Sequence, residues 1–507
     1  MSGIIERSSG LLMHISSLPN QFGIGTLGKE AFDFVDFLVE TKQRFWQILP
    51  VGPTGYGNSP YQSYSIFAGN PLFISLDKLL EEGLLRQDEL SKAAESSTEK
   101  VDYDWVYNYK SILLRMAFLR FKDDFYKWKD EYYKFMGEHS WWLTDYALFR
   151  ALKTEYKTVS NWSEWEEGLK SRDEHTLAAA LLTHDSEVNY IRFEQFMFFR
   201  QWFELKNYAN ERGVLILGDL PLYVSYDSSD VWGNQDLFEL DENAQMTQVG
   251  GVPPDYFSET GQLWGNPVFN WDKIAERNYD WWMARMHFNL HMFNYVRIDH
   301  FRGLESFWSI PAGEKTAING QWVKAKGFEM LSLLQSQIGN LPIVAEDLGI
   351  ITPEVDKLRT DFNLPGMKVL QFAYAADEAC VHLPHNYTDN FVVYTGTHDN
   401  DTTLGWVRHA SQEEEENLDF YYQGIKKTQL TKALIQAAWG SVANLAIMPM
   451  QDLLELDSKH RMNTPGTATG NWVWRMDTKH LKKQHKAYLL SITKRYNRIP
   501  DCLKARD

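Results

Sequence analysis

Eight short apolar runs, each leading into a polar cluster, constrain the folding of this chain most tightly. They are 10–15 (GLLMHI), 45–51 (FWQILPV), 214–219 (VLILGD), 294–299 (NYVRID), 343–347 (IVAED), 367–373 (MKVLQFA), 391–396 (FVVYTG) and 443–449 (ANLAIMP). The runs are continuous rather than alternating, the pattern of parallel strands covered on both faces. Helical patterns lie between them. One is 28–40; another, 411–422, opens on a Ser N-cap followed by Glu413 to Glu416, a solvated helix start favoured by the helix dipole. Eight strands alternating with helices predict an α/β fold, a (β/α)8 TIM barrel.

The spacing between runs is uneven. Residues 52–213 separate the second from the third, and 78–208 read as an inserted, mostly helical subdomain whose last helix rejoins the barrel. Ile112, Met116 and Leu119 mark one apolar helix face there, and Phe196, Phe199 and Phe203 another. A second insertion, 220–290, is rich in Gly, Pro, Asn and aromatics and reads as irregular loops forming a lid over a substrate cleft. Length alone admits about three domains. The run pattern instead reads residues 1–507 as one catalytic barrel carrying two insertions, with too little chain after the eighth run for a C-terminal β-sandwich.

Charge and composition exclude several function classes. The net charge of −17 disfavours nucleic-acid and anionic membrane partners. Cys380 and Cys502 give neither a disulfide framework nor a thiolate metal site, and suit a reducing cytosol. No apolar run approaches the about 18 residues of a membrane span. The start MSGIIERSSG shows no secretory signal, so a cytoplasmic location is expected. Aromatics reach 14%, enough to fill a core and also to offer flat platforms in a cleft.

In a barrel, the C-terminal strand ends carry the chemistry. Here they read Gly218-Asp219, Arg297-Ile298-Asp299-His300-Phe301-Arg302-Gly303, Glu346-Asp347-Leu348-Gly349 and Thr397-His398-Asp399-Asn400-Asp401. Carboxylates converging on one rim repel one another, and a protein keeps them together for function. Two chemistries fit. Retaining glycosyl transfer needs a carboxylate nucleophile and a carboxylic acid about 5–5.5 Å apart. Arg297, two residues before Asp299 and on the same strand face, is suited to orient it. Metal-assisted hydrolysis is the alternative, with Asp299-His300 and His398-Asp399 as possible ligands. The first run gives His14-Ile15-Ser16, without the His-x-His of barrel metallohydrolases. His300 and His398 otherwise read as sugar-hydroxyl partners or structural histidines. In the loops, Tyr61 offers a stacking ring, and Gly250 to Tyr256 with Gly261 to Pro267, including Trp264, form a shaped lid. Residues 461–467 (RMNTPGT) and 471–475 (NWVWR) read mainly as barrel closure.

These motifs resemble the 4-α-glucanotransferases, bacterial amylomaltase and the plant disproportionating enzyme, in the wider α-amylase clan. The resemblance runs from GLLMHISSLP through SPYQSYSIFAGNP, GDLPLYV, GGVPPDYFSETGQLWGNP, RIDHFRG, AEDLG, TGTHDN and MQD to RMNTPGT and NWVWR. It implies Asp299 as nucleophile, Glu346 as general acid/base and Asp399 as the carboxylate stabilising the transition state of the −1 sugar. It also implies Tyr61, Asp219, Arg297 and His398 around that sugar, with Trp264 on the acceptor side. Asp347 adjoins the acid, but strand alternation turns it away from the mouth. The third run is followed by Asp219-Leu220-Pro221, without the Asn-His pair that helps bind structural calcium in ordinary α-amylases. No metal and no other cofactor is therefore expected. The expected activity is transfer of an α-1,4-glucan segment to the 4-OH of glucose or another α-1,4-glucan. The alternatives are a retaining hydrolase and a non-catalytic glucan-binding protein.

Overall fold

The computed structural model describes residues 5–90, 99–156, 161–254, 258–375 and 379–504. In chain order the strands are β1 (Ser8–Leu12), β2 (Phe45–Gln47), β3 (Leu215–Leu220), β4 (Gln248–Val252), β5 (Gln262–Pro267), β6 (Tyr295–Ile298), β7 (Ser306–Pro311), β8 (Gln321–Lys324), β9 (Ile343–Ala345), β10 (Gly366–Val369), β11 (Phe391–Tyr394) and β12 (Leu445–Pro449). One sheet has the order β10-β11-β12-β1-β2-β3-β6-β9, with parallel pairings throughout. It curls into a nearly closed TIM barrel, and each of the eight apolar runs supplies one strand.

Most of these strands are shorter than their runs. Asp299, Glu346 and His398-Asp399 lie just past the last ladder residues of β6, β9 and β11, where the chain leaves the sheet and turns across the mouth. Helices cover the outside. The helix Lys29–Glu40 buries Phe34, Val35 and Leu38, and Phe34 packs edge-on against Trp46 at 5.0 Å. Each such buried side chain contributes about 1.5–3 kcal/mol. After β12 the described residues form helices and turns and no strand.

The stretch between β2 and β3 is helical, with long helices at Tyr103–Asp123, Lys129–Glu155 and Asp185–Glu211. One face expected there is wrong. Ile112 and Leu119 are exposed and Met116 is half-buried; the helix instead buries Val106, Leu113, Leu114, Ala117, Phe118 and Phe121. Two apolar stripes share the same 3.6-residue period, and the one richer in leucine and phenylalanine packs against Phe193 and Phe196 of the last helix. Phe196 and Phe199 are buried and Phe203 is half-buried, all on the expected side.

Residues 220–290 are not merely irregular loops. β4 and β5 join β7 and β8 in an antiparallel sheet of order β5-β4-β7-β8, and the helices Trp271–Glu276 and Asp280–Met292 follow. Gly250 and Gly251 concealed β4 because they resemble loop residues. In the fold they permit close approach: a Cβ at Gly250 would lie 2.8 Å from the Tyr223 ring, and one at Gly251 would lie 2.3 Å from the Gln262 carbonyl oxygen. Asp255 and Tyr256 of the expected lid lie outside the described residues. The helix Gln412–Tyr421 starts at the expected Ser411 cap, with Glu414 closing a capping box.

Candidate active site

The site begins with strand register. β6 and β9 are neighbours, and Ile298 pairs with Ala345. Asp299 and Glu346 therefore occupy the next rung, on adjacent parallel chains whose spacing is about 4.8 Å. Arg297, on β6, is 4% exposed at its side chain and holds two carboxylates at once. Its Nη1 donates to both oxygens of Asp219, at 2.7 and 2.8 Å, and its Nη2 lies 2.8 Å from Asp299 Oδ1. Asp219 reaches Arg297 from β3, the strand paired with β6 on its other side.

After Asp299, His300 adopts the left-handed conformation, at φ 51°. Such a residue costs on the order of 1 kcal/mol, and here the turn aims a backbone donor. The His300 N–H donates to Glu346 Oε2 at 2.6 Å, while the Leu348 N–H donates to Oε1 at 3.2 Å. Burial, followed by the charge of Asp299, pushes the Glu346 carboxyl well above the usual range, against the pull of Arg297 and of the His300 N–H. Burial and the charges of Asp219 and Asp399 also raise Asp299, with Arg297 the main opposing influence.

Asp399 has the opposite environment. Burial would raise its pKa, but His398 Nε2 at 3.1 Å, the Asn463 amide donating to Oδ1 at 2.6 Å, and Arg297 together hold it below the usual carboxylate range. The Asp399 carbonyl accepts from Arg461 Nη2 at 2.7 Å. Tyr61 links the two halves of the mouth. Its hydroxyl donates to Asp219 Oδ2 at 2.9 Å and lies 2.9 Å from His398 Nε2, with the two rings stacked at 5.3 Å. The loop bearing Tyr61 is fixed by the helix Ser229–Gly233, whose Asp230 carboxylate accepts from the Ile66 N–H at 2.9 Å and whose Ser229 N–H donates to the Tyr64 carbonyl at 2.9 Å.

Trp264, on β5, meets the His300 ring edge-on at 4.8 Å. Burial, reinforced by Arg302, lowers the His300 imidazole to about 3, so it is neutral near pH 7. Its Nε2 has no partner among the described residues. The structure thus brings together Tyr61, Asp219, Arg297, Asp299, His300, Glu346, His398 and Asp399, with Trp264 beside them.

Sequence reasoning missed Asn463, Arg461 and Trp472 by treating 461–475 as closure. Trp472 lies 5.8 Å from the Tyr61 ring and 5.9 Å from that of His398. A signal existed: this segment follows the eighth strand, and every loop after a barrel strand emerges at the mouth. Asn463→Ala removes a hydrogen bond to a charged group, typically about 1.5–3 kcal/mol. The expected result is a loss of about 10- to 100-fold in kcat/KM, measured by steady-state kinetics with the melting temperature checked in parallel.

Known proteins resemble this chain along nearly its whole length. A family model described as 4-alpha-glucanotransferase matches residues 13–481. The 4-alpha-glucanotransferase of Synechocystis sp. is 49% identical over 97% of this chain and 98% of its own length. That of Thermus thermophilus is 45% identical over 98% of this chain and 100% of its own. Among solved structures, an amylomaltase from Streptococcus agalactiae in complex with acarbose superposes with a TM-score of 0.94 at 40% identity, covering 97% of this chain and all of the other.

Proposed function

The chain belongs to the 4-alpha-glucanotransferase family, and from that membership we propose that Asp299, Glu346 and Asp399 carry out a retaining double displacement on an α-1,4-glucan. The observation that carries this reading is the shared rung of Asp299 and Glu346. It sets the two residues on neighbouring strand ends, near enough for the charge of Asp299 to act on Glu346, which supports the adjacent carboxyls that a retaining pair needs.

Asp299 attacks the anomeric carbon of the −1 glucosyl unit while Glu346 donates its proton to the glycosidic oxygen. The reducing-end fragment leaves as an alcohol, and a β-glycosyl ester forms on Asp299. Glu346, now a carboxylate, takes the proton of an acceptor 4-OH as that oxygen attacks the same carbon. The ester breaks, the α configuration returns, and both carboxyls regain their starting states. Asp399, held ionised by His398 and Asn463, stabilises the cationic character of the sugar in each transition state. Arg297 aligns Asp299; Tyr61, Asp219 and His398 shape the −1 pocket. The unpaired His300 Nε2 is a neutral partner for a sugar hydroxyl, and Trp264 flanks the acceptor. Glucose and longer α-1,4-glucans are the proposed acceptors. Maltotriose tests the scheme: transfer yields glucose together with longer oligosaccharides, whereas hydrolysis yields no longer product.

Transfer requires a bound sugar to outcompete water, and effective molarities of about 10⁵–10⁸ M for well-oriented groups are sufficient. Trp264→Ala is expected to lower transfer more than hydrolysis, by about 2- to 10-fold in their ratio if a stacked sugar contributes about 0.5–1.5 kcal/mol, as an aromatic pair does. Equal loss of both activities would make Trp264 scaffold. No three His, Cys, Asp or Glu side chains are grouped to hold a metal among the described residues. Dialysis against EDTA is expected to leave maltotriose turnover unchanged; restoration of a lost activity by one divalent ion would overturn that. No helix among the described residues is long and apolar enough to cross a membrane. With both cysteines unpaired, a cytoplasmic location is part of the proposal, and cell fractionation checks it.

A further inference from the structure

The barrel has a seam. Its ladder runs from β10 around to β9, and among the described residues those two strands share no ladder. One backbone hydrogen bond crosses the gap, from the Ala345 N–H to the Pro365 carbonyl at 2.9 Å. Nearer the mouth, a side chain completes the closure: the Met367 N–H donates to Asp347 Oδ1 at 2.6 Å. Asp347 Oδ2 lies 3.2 Å from Arg359 Nε. Arg359 is itself anchored by Asp356 at 2.7 Å and by the Leu364 carbonyl at 3.0 Å. Glycine at 366 admits the carboxylate, since a Cβ there would lie 2.3 Å from Asp347 Oδ2.

Glu346 and Asp347 are consecutive and are pulled in opposite directions. The His300 N–H holds Glu346 on the β6 side, and the Met367 N–H holds Asp347 on the β10 side. We infer that Asp347 is a positioning residue for Glu346: its carboxylate clasps the barrel seam beside the acid/base and fixes where the Glu346 carboxyl meets the glycosidic oxygen. The inference rests on the reading of Glu346 as the acid/base.

Charge acts alongside geometry. Asp347 faces Arg359, itself paired with Asp356, from the helix Pro353–Asp361, Lys368 from β10 and Glu346 on its own segment; Glu346 faces Arg297 and Asp299 from the β6 side. The negative charge of Asp347 adds to the influences that keep Glu346 protonated.

The test compares a substrate that needs a proton on its leaving group with one that does not. Maltotriose needs it; an α-maltosyl fluoride, followed by its initial release of fluoride, does not. In Asp347→Ala, kcat on maltotriose is expected to fall about 10- to 100-fold, the range for a misplaced catalytic group. KM and initial fluoride release are expected to stay within about threefold. Asp347→Asn keeps an acceptor for the Met367 N–H and is expected to recover much of the rate, with the basic limb of the pH profile moved to lower pH. Gly366→Ala, which crowds the carboxylate without removing its charge, is expected to show the same selective loss as Asp347→Ala. If Asp347→Ala does not fold, Gly366→Ala decides by the same substrate ratio, with Asp347→Asn as its rescue control. Equal losses on both substrates, or no loss on either, in Asp347→Ala and Gly366→Ala would overturn the inference. Glu346→Gln, run beside them, separates the two levels. Full maltotriose activity in that variant removes the parent reading, whereas selective loss there with none in Asp347→Ala and Gly366→Ala removes the inference alone.

Discussion

Glu346→Gln is expected to leave the enzyme nearly inactive on maltotriose yet able to release fluoride from an α-maltosyl fluoride in an initial burst close to that of the unmodified protein. The amide is nearly isosteric and its oxygen still accepts from the His300 N–H, at the cost of the longer contact to the Leu348 N–H, but it has no acidic proton to donate. A glycosidic oxygen leaving without a proton must depart as an alkoxide, whereas fluoride departs readily as an anion. General acid–base catalysis typically contributes about 10²–10⁴-fold, and the maltotriose rate is expected to fall by at least that much because both half-reactions use Glu346. The pH profile carries a second signature. The unmodified enzyme needs Glu346 protonated and Asp299 ionised, so activity falls above the pKa of the first group and below that of the second. Burial and Asp299 raise Glu346, placing the basic limb well above an ordinary glutamate. Asp299 is raised by burial and its carboxylate neighbours, so the acidic limb lies above an ordinary aspartate. Initial fluoride release needs Asp299 ionised but not Glu346 protonated, so in both proteins it keeps the acidic limb and lacks the basic limb that maltotriose turnover shows. Unimpaired turnover of maltotriose would assign the acid to another residue.

Asp299→Ala carries the largest expected loss, on the order of 10⁴–10⁶-fold in kcat, as when a covalent nucleophile is removed from other enzymes. The variant also leaves Arg297 with Asp219 alone, so loss of rate by itself does not define the role. Azide does. A small anion entering the vacated space beside the Arg297 guanidinium can attack the anomeric carbon from the face that Asp299 used. With α-maltosyl fluoride as donor, the expected product is the β-glycosyl azide, the inverted anomer, identified by NMR. Rescue giving the α-azide, or wild-type glucan transfer in the variant, would exclude Asp299 as nucleophile.

Much of this site was legible before any coordinates. Asp299, Glu346 and Asp399 each follow an apolar run long enough to be a covered parallel strand, and the topology of a barrel carries all such ends to one mouth. Arg297 was legible because a two-residue spacing on a strand preserves the face. Asn463 was not, because no local period connects it to Asp399; only the completed barrel returns the loop after β12 to the end of β11. β4 was hidden for a different reason. Gly250 and Gly251 have the composition of a loop, and their place in a sheet is dictated by Tyr223 and Gln262, partners distant from the local pattern. The helix Tyr103–Asp123 was found but turned the wrong way, because periodicity gives the spacing of a face and not which of two faces has the stronger partner.

The guanidinium shared by Asp219 and Asp299 has a consequence for the covalent intermediate. In the proposed double displacement Asp299 surrenders its charge on becoming an ester, and a nucleophile paired with its own private cation would leave that cation uncompensated in a buried setting. Here Arg297 remains bound to both oxygens of Asp219, so the cation stays neutralised at every stage of turnover. No anion from solution has to enter to stabilise the glycosyl-enzyme, and none has to leave before the ester is broken. The pocket can remain closed to small ions throughout the cycle, leaving the lifetime of the intermediate to be set by the arrival of a sugar.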